Sequence, residues 1–412
     1  MAAVVRIAVA ACLVAIPVSG LTQDIAVRGD FIYPVTDEPI ENGVVLVRNG
    51  RIAAVGPASS VSLPAGIRVI DAAVVTPGLI DSRSVVGLAG YLNQPHDQDQ
   101  LERSEAIRPE LRAIDACNPR EPLVAWLRSF GITTIHTGHA PGEIVSGQTL
   151  IAKTGGNTVA ESVIVPLAMV AATLGEGAVV PEPGSRKTPG NRSKAAAMLR
   201  AELVNARTYL DRLAAAEKDD DKDPPERNLR LEALGSVLAG DTPLLVTVHR
   251  HQDIATAMRI AEEFDIRLVL DGAAEAYLLL DEIKAADIPV LVHLPMTRAF
   301  GERENLSFTT PAKLLAAGIP FSFQSGYEAY VPKTRVVLFE AAITLAHGLS
   351  AGQALAALTI DAARILDIDE RIGSLEVGKD GDLALFDGDP FEYTNHVIGT
   401  IIDGAHVSDL KR

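Results

Sequence analysis

The sequence predicts an α/β fold in which repeated strand–helix units close into a barrel, with a small β-rich unit assembled from the two chain ends. Three observations carry this. From Ile132 onward, short apolar runs alternate with segments of helical period, the pattern of a parallel sheet with helical crossovers. Residues 24–76 hold short strands punctuated by turns, too few to bury a core alone. Strand-like segments of the same character return after residue 370.

The first block contains Ile25–Arg28, then Gly43–Arg48 and Arg51–Gly56 joined by Asn49-Gly50. Asn-Gly between two apolar runs is a strong hairpin signal, because both turn positions need positive φ. Ile67–Asp71 and Val74–Thr76 complete the set as two strands. The last block offers a strand after the Gly378-Lys379 turn, within Gly373–Asp387, and a strand pair around Asp403-Gly404. Between the blocks, strands are expected at Ile132–Ile135, Ser162–Pro166, Leu244–His249, Arg267–Leu270, Pro289–His293 and Ile319–Phe323. Helices are expected at Pro122–Phe130, Ser193–Glu217, Asp253–Phe264 with Asp253 as N-cap, Glu275–Ala286, Thr334–His347 and Ala351–Leu366. Residues 181–228 break the rhythm as an insertion, whose Lys218–Glu226 charge run beside Pro-Pro reads as a solvated loop.

Composition narrows the function classes. The chain has 412 residues, 48% hydrophobic and only 4% aromatic, so Val, Ile, Leu and Ala must fill a large core. A net charge of −16 argues against nucleic acid, which needs clustered Lys and Arg. Arg6, the apolar Ile7–Val18 and the small Ser19-Gly20 form a signal-peptide pattern over residues 1–20. The run is too short to span a bilayer and Pro17 interrupts it. The expectation is export to the periplasm or beyond, with no membrane span after cleavage. Cys12 leaves with that segment, so Cys117 stands alone, without a disulfide and half-buried.

One stretch names a family. Val75-Thr76-Pro77-Gly78-Leu79-Ile80-Asp81-Ser82-Arg83-Ser84-Val85 strongly resembles the first barrel strand of the amidohydrolase superfamily. The run Gly373-Ser374-Leu375-Glu376-Val377-Gly378-Lys379-Asp380-Gly381-Asp382-Leu383 resembles that superfamily's C-terminal signature. The likeness covers most of residues 25–408 and points to the imidazolonepropionase-like and prolidase-like branch. It implies a distorted TIM-type (β/α)8 barrel over 77–369 and a composite β-sandwich of 24–76 with 370–408. It also implies hydrolysis of C–N bonds in amides, imides or dipeptide-like substrates, through one or two divalent metals.

The resemblance places the site at the C-terminal ends of the barrel strands. There the family combines a His-x-His pair, a bridging Lys or Glu, two further His and a last-strand Asp. Arg83 and Val85 stand at the pair, and a guanidinium that never deprotonates is a poor neighbour for a cation. No Lys lies between Lys153 and Lys187 to act as the bridge. His249 matches a ligand position, whereas the next falls on Gly272 or Asp271. Gln324-Ser325-Gly326-Tyr327 follows the last strand, with Glu328 the nearest carboxylate. A catalytic zinc needs three or more protein ligands, so the expectation is a degenerate centre holding no metal, with zinc at His249 as the alternative.

Other side chains compete for a role. His136, His139, His251 and His293 are candidate substrate-binding groups on the same rim, and Arg83 is a fork for a substrate carboxylate. The Gly-containing segment from His139 to Gln148 reads as a loop. Two functions follow: an exported hydrolase of weak or absent activity, or a non-catalytic scaffold or ligand-binding paralogue. Expected partners are a small molecule, further copies of the chain, or an active paralogue.

Overall fold

The computed structural model describes residues 24–179, 189–219, 221–293, 298–327, 334 and 336–412. The expected signal segment and Glu328 lie outside them. The N-terminal strands are β1 (Ile25–Ile32), β2 (Ile40–Arg48), β3 (Arg51–Pro57) and β4 (Arg68–Pro77). The barrel region holds β5 (Leu79–Ser84), β6 (Ile132–Gly138), β7 (Val145–Lys153), β8 (Val163–Val165) and β9 (Val170–Thr173). It continues with β10 (Leu244–Val248), β11 (Leu268–Gly272), β12 (Val290–Val292) and β13 (Phe321–Phe323). β14 (Leu383–Phe386), β15 (Val397–Ile402) and β16 (Ala405–Ser408) end the chain.

The two chain ends join in one sheet of order β16-β15-β14-β4-β1-β2-β3. The hairpin at Asn49-Gly50 forms with φ of 50° and 78°, and the one at Asp403-Gly404 with 49° and 74°. β4 is one continuous strand where two were expected. It pairs with β1 in parallel along Arg68 to Val75 and, on its other edge, with β14 in antiparallel register along Val74 to Pro77. The sheet curls until its free edge closes on the tail: Ile52 N donates to Lys379 O (2.8 Å) and Gly378 N to Ile52 O (2.9 Å). Alternation at period 2 gives two apolar faces. Val27, Val45, Val47, Leu383 and Ile401 fill one, while Ala26, Val44 and Leu46 pack under Leu63 and Ile67 on the other.

Pro77-Gly78 carries the chain from this sheet into the barrel. A β-carbon on Gly78 would lie 2.1 Å from the Thr133 hydroxyl, so only glycine lets β5 meet β6 there. The barrel runs β13-β12-β11-β10-β9-β7-β6-β5. It closes where Ser82 Oγ donates to Phe323 O (2.6 Å) and Gly326 N to Arg83 O (3.0 Å). One strand departs from the expected parallel repeat: β7 is antiparallel to both β6 and β9. It follows β6 after the loop 139–144, with no helix between. Ser146, Gly147 and Gln148 therefore lie in a strand, correcting the expected loop. All of β7 is buried, so no alternation marks it in the sequence.

Successive inward positions build layers. Ile80, Ile151, Leu245, Val269 and Leu291 make an apolar floor, sealed by Ala362, Ala363 and Ile365 of the helix Ile360–Ile365. Two residues on, towards the other end, stand Ser82, Thr149, Thr247, Asp271 and His293. The expected helix Ala351–Leu366 splits in two at Leu358-Thr359, because the Leu358 carbonyl turns to accept Ile80 N (2.8 Å). The insertion forms the helix Arg192–Lys218, and an unexpected helix Leu229–Leu238 follows it. Asp253 is not an N-cap. Its helix starts at His251, and its carboxylate instead pairs with Arg192 (3.0 Å). Among the described residues no helix is long and apolar enough to cross a membrane. Cys117 is free and half-buried, its thiol pushed up to about 11 by burial, so it is no nucleophile near neutral pH.

Candidate functional site

The site grows from the end of β5. Its ladder with β6 skips between Asp81 and Ser84, and Arg83 rides in that irregular stretch. Arg83 is 2% exposed. Its guanidinium donates to Ser84 O (3.1 Å) and to the carbonyl of His139 after β6, and it reaches Asp271 on β11 at 4.0 Å. Burial lowers its pKa, opposed by Asp271 and Asp81.

Asp271 is held from three sides. Thr247 of β10 and Gln324 beyond β13 donate to its oxygens, and Gln324 also donates to Leu291 O of β12 (2.8 Å). The amide at the expected last-strand carboxylate position thus clamps another carboxylate. Asp81 accepts from Ser325 N (3.0 Å) and from the Ser325 hydroxyl, which Thr334 in turn supports at 2.6 Å. Burial pushes Asp81 up to about 6 despite those bonds.

The expected histidines separate into three groups. His136 is fully buried in the barrel, its Nδ1 2.7 Å from Ser82 O and its Nε2 2.7 Å from Thr149 Oγ1. Burial and the Arg83 charge pull it down to about 3, so it is a neutral imidazole donating through Nδ1 and accepting at Nε2. His251 lies apart: it opens a surface helix and pairs through Nδ1 with Glu275 (2.8 Å).

His139, His249 and His293 each follow a barrel strand at the C-terminal end. His139 is pulled down to about 4 by burial and by Arg83. Neither of its ring nitrogens makes a hydrogen bond of ordinary geometry. His249, half-buried, is pulled down to about 4 by burial and the Arg303 charge, and its Nδ1 has no hydrogen-bond partner. Its ring lies against Gly272, where a β-carbon would come within 2.5 Å of Cε1. His293 Nδ1 stands 3.2 Å from both Gln324 O and a carboxylate oxygen of the fully buried Glu340.

A metal does not fit this set. Among the described residues no three His, Cys, Asp or Glu side chains converge so as to hold an ion. A guanidinium stands at one pair position. Val85 at the other packs with Ala89 and Ala140 against Tyr327. The side chain at Gly272 is absent and His249 fills its space. Lys153 ends the reversed β7, so it points to the opposite end of the barrel, where it binds Asp380 (2.8 Å) and Asp382 (3.2 Å). The sequence reading missed Ser325, Glu340 and the bond from Gln324 to Asp271. One signal existed for Glu340, the only acid on the apolar helix Val337–Leu345.

The comparisons with known proteins agree on one family. The amidohydrolase family model matches residues 312–407. The amidohydrolase tasK of Hapsidospora irregularis is 24% identical over 410 residues, covering 88% of this chain. The chain spans 39% of that relative's length. The crystal structure of an amidohydrolase from Thermotoga maritima MSB8 superposes with a TM-score of 0.86 at 28% identity, over 94% of this chain and 100% of that one. A prolidase complexed with N-methylphosphonate-L-proline shares the fold, with a TM-score of 0.55 at 15% identity over 95% of this chain and 100% of that one. These matches in sequence and fold support placing the chain with the amidohydrolase superfamily.

Proposed function

We propose that this chain is an amidohydrolase-superfamily protein whose hydrolytic centre has been replaced by a metal-free polar cluster, and that it serves as a ligand-binding or scaffold paralogue of an active enzyme. Its own hydrolysis of C–N bonds is weak or absent on this reading. One observation carries it: the Arg83 guanidinium is buried against Asp271 at the place where the family's metal pair begins. A fixed positive charge there disfavours a divalent ion, and Gln324 cannot serve as the carboxylate that moves a proton.

The competing reading keeps catalysis. It rests on the buried ring nitrogens of His139 and His249 that lack ordinary hydrogen bonds. Such atoms are rare and often mark chemistry. In that case the reaction is hydrolysis of an amide, imide or dipeptide-like substrate: the water oxygen bonds the carbonyl carbon, the C–N bond breaks, and the departing nitrogen takes a proton from that water.

Metal analysis of the purified protein beside His249→Ala separates the two, followed by amide, imide and dipeptide hydrolysis after zinc or manganese loading. The expected result is metal far below one per chain and no turnover. Near-stoichiometric metal that disappears in His249→Ala, together with turnover, overturns the proposal. Export is a separate proposal, resting on the Arg6 to Gly20 pattern. It is tested by fusing residues 1–30 to a reporter active only outside the cytoplasm.

A further inference from the structure

We propose that the Arg83 guanidinium is the resident cation of this barrel, doing the bracing that a bound metal does elsewhere. The inference deepens the metal-free reading above and rests on it. A metal at a barrel mouth, besides its chemistry, neutralises carboxylates and ties strands together. Here Asp81 and Asp271 are both buried, 0% and 4% exposed; Asp271 pairs with the guanidinium at 4.0 Å, and Asp81 adds a weaker attraction. Two buried carboxylates without a counter-charge are costly.

Arg83 answers that need with reach. From β5 it crosses the barrel mouth to Asp271 of β11, and it binds the His139 carbonyl beyond β6. Asp271 extends the brace to β10 through Thr247 and to the end of β13 through Gln324, which also holds β12. Asp81 ties β5 to Ser325. One guanidinium and two carboxylates therefore link six barrel strands, beside the break in the β5–β6 ladder between Asp81 and Ser84. Arginine suits the place because its planar fork satisfies separate acceptors in fixed directions, which an ammonium cannot do equally well.

The test is thermal unfolding of the full chain and its variants, with added metal or chelator. Wild type should melt at the same temperature with EDTA as with zinc. Arg83→Met should melt roughly 5 °C lower or more, since it strands a buried carboxylate. Arg83→Ala should regain part of the loss in methylguanidinium chloride, and none in sodium chloride of equal ionic strength. If Arg83→Met is insoluble, Arg83→Met with Asp271→Asn should recover soluble protein, because the unpaired charge is then gone. An Arg83→Met protein as stable as wild type, or a double variant no better than an insoluble single one, overturns the proposal while leaving the metal-free reading intact. A wild-type melting point that falls in EDTA overturns both.

Discussion

The imidazole of His249 occupies the space that a side chain at residue 272 would need: a β-carbon on Gly272 would sit 2.5 Å from Cε1 and 3.0 Å from Nδ1. Gly272 also has φ of 79°, a conformation that other residues adopt at a cost. Gly272→Ala should therefore destabilise by about 2–4 kcal/mol, adding overpacking to backbone strain. In a double-mutant cycle by urea unfolding, His249→Ala should relieve the clash and leave the strain. A coupling energy above about 1 kcal/mol is expected, and strict additivity would show that the ring is not what fills the space.

The family and the barrel were legible in the sequence because their signals are local. Gly78 is dictated by contact with Thr133, and Asn49-Gly50 and Asp403-Gly404 by turn geometry, so each leaves a mark in a few residues. The reversed β7 left none, since a strand buried on both faces has no alternation to read. The departures from the family's expected ligand pattern at Arg83, Val85, Gly272 and Gln324 were also visible one by one. What replaced them was not, because Arg83–Asp271, Gln324–Asp271 and His293–Glu340 join residues far apart in sequence, and only the closed barrel brings them together.

His136 should make the fold acid-sensitive. Its folded pKa is depressed to about 3 from an ordinary 6.5, chiefly by burial. Between those values the unfolded chain binds a proton that the folded chain refuses. The stability this group contributes is thus whole above pH 6.5 and falls with acidification, by about 1.4 kcal/mol per pH unit. Asp81 acts with the opposite sign: raised to about 6 from 3.8, it takes up a proton on folding in that window and masks part of the slope. The difference between wild type and His136→Gln isolates the imidazole. Unfolding free energies at pH 6 and pH 4 should show the variant losing less, by about 2–3 kcal/mol, the effect of one proton over two pH units.

Arg192 fastens the insertion to the barrel rim. It reaches Asp253 at 3.0 Å and Glu302 at 2.8 Å, and both carboxylates are buried. Glu302 is already raised by burial, so removing the guanidinium leaves two desolvated acids facing each other. Arg192→Ala should speed amide hydrogen exchange in the first turns of the helix Arg192–Lys218, with little change in the floor strands β10 and β11. Uniformly faster exchange would mean that the contact supports the whole fold rather than the insertion's docking.

At the opposite end of the barrel Lys153 joins the two halves of the molecule. Its ammonium is 3% exposed and contacts Asp380 (2.8 Å), Asp382 (3.2 Å) and Asp403. Burial opposes its charge, but the three aspartates together outweigh burial and raise its pKa. Arg371 and Arg51 share Asp380, at 2.8 and 3.4 Å, so the cluster is a network rather than a pair. Lys153→Met should cost about 3–5 kcal/mol, since it leaves Asp380 and Asp382 buried without their main counter-charge. Asp403, whose side chain is 49% exposed, can be solvated instead, and Asp403→Asn should cost under about 1 kcal/mol. Denaturant titration of the two variants checks the ranking. Equal losses would show that the clamp's strength lies at its solvent-facing aspartate, not in the buried pair between β7 and the start of β14.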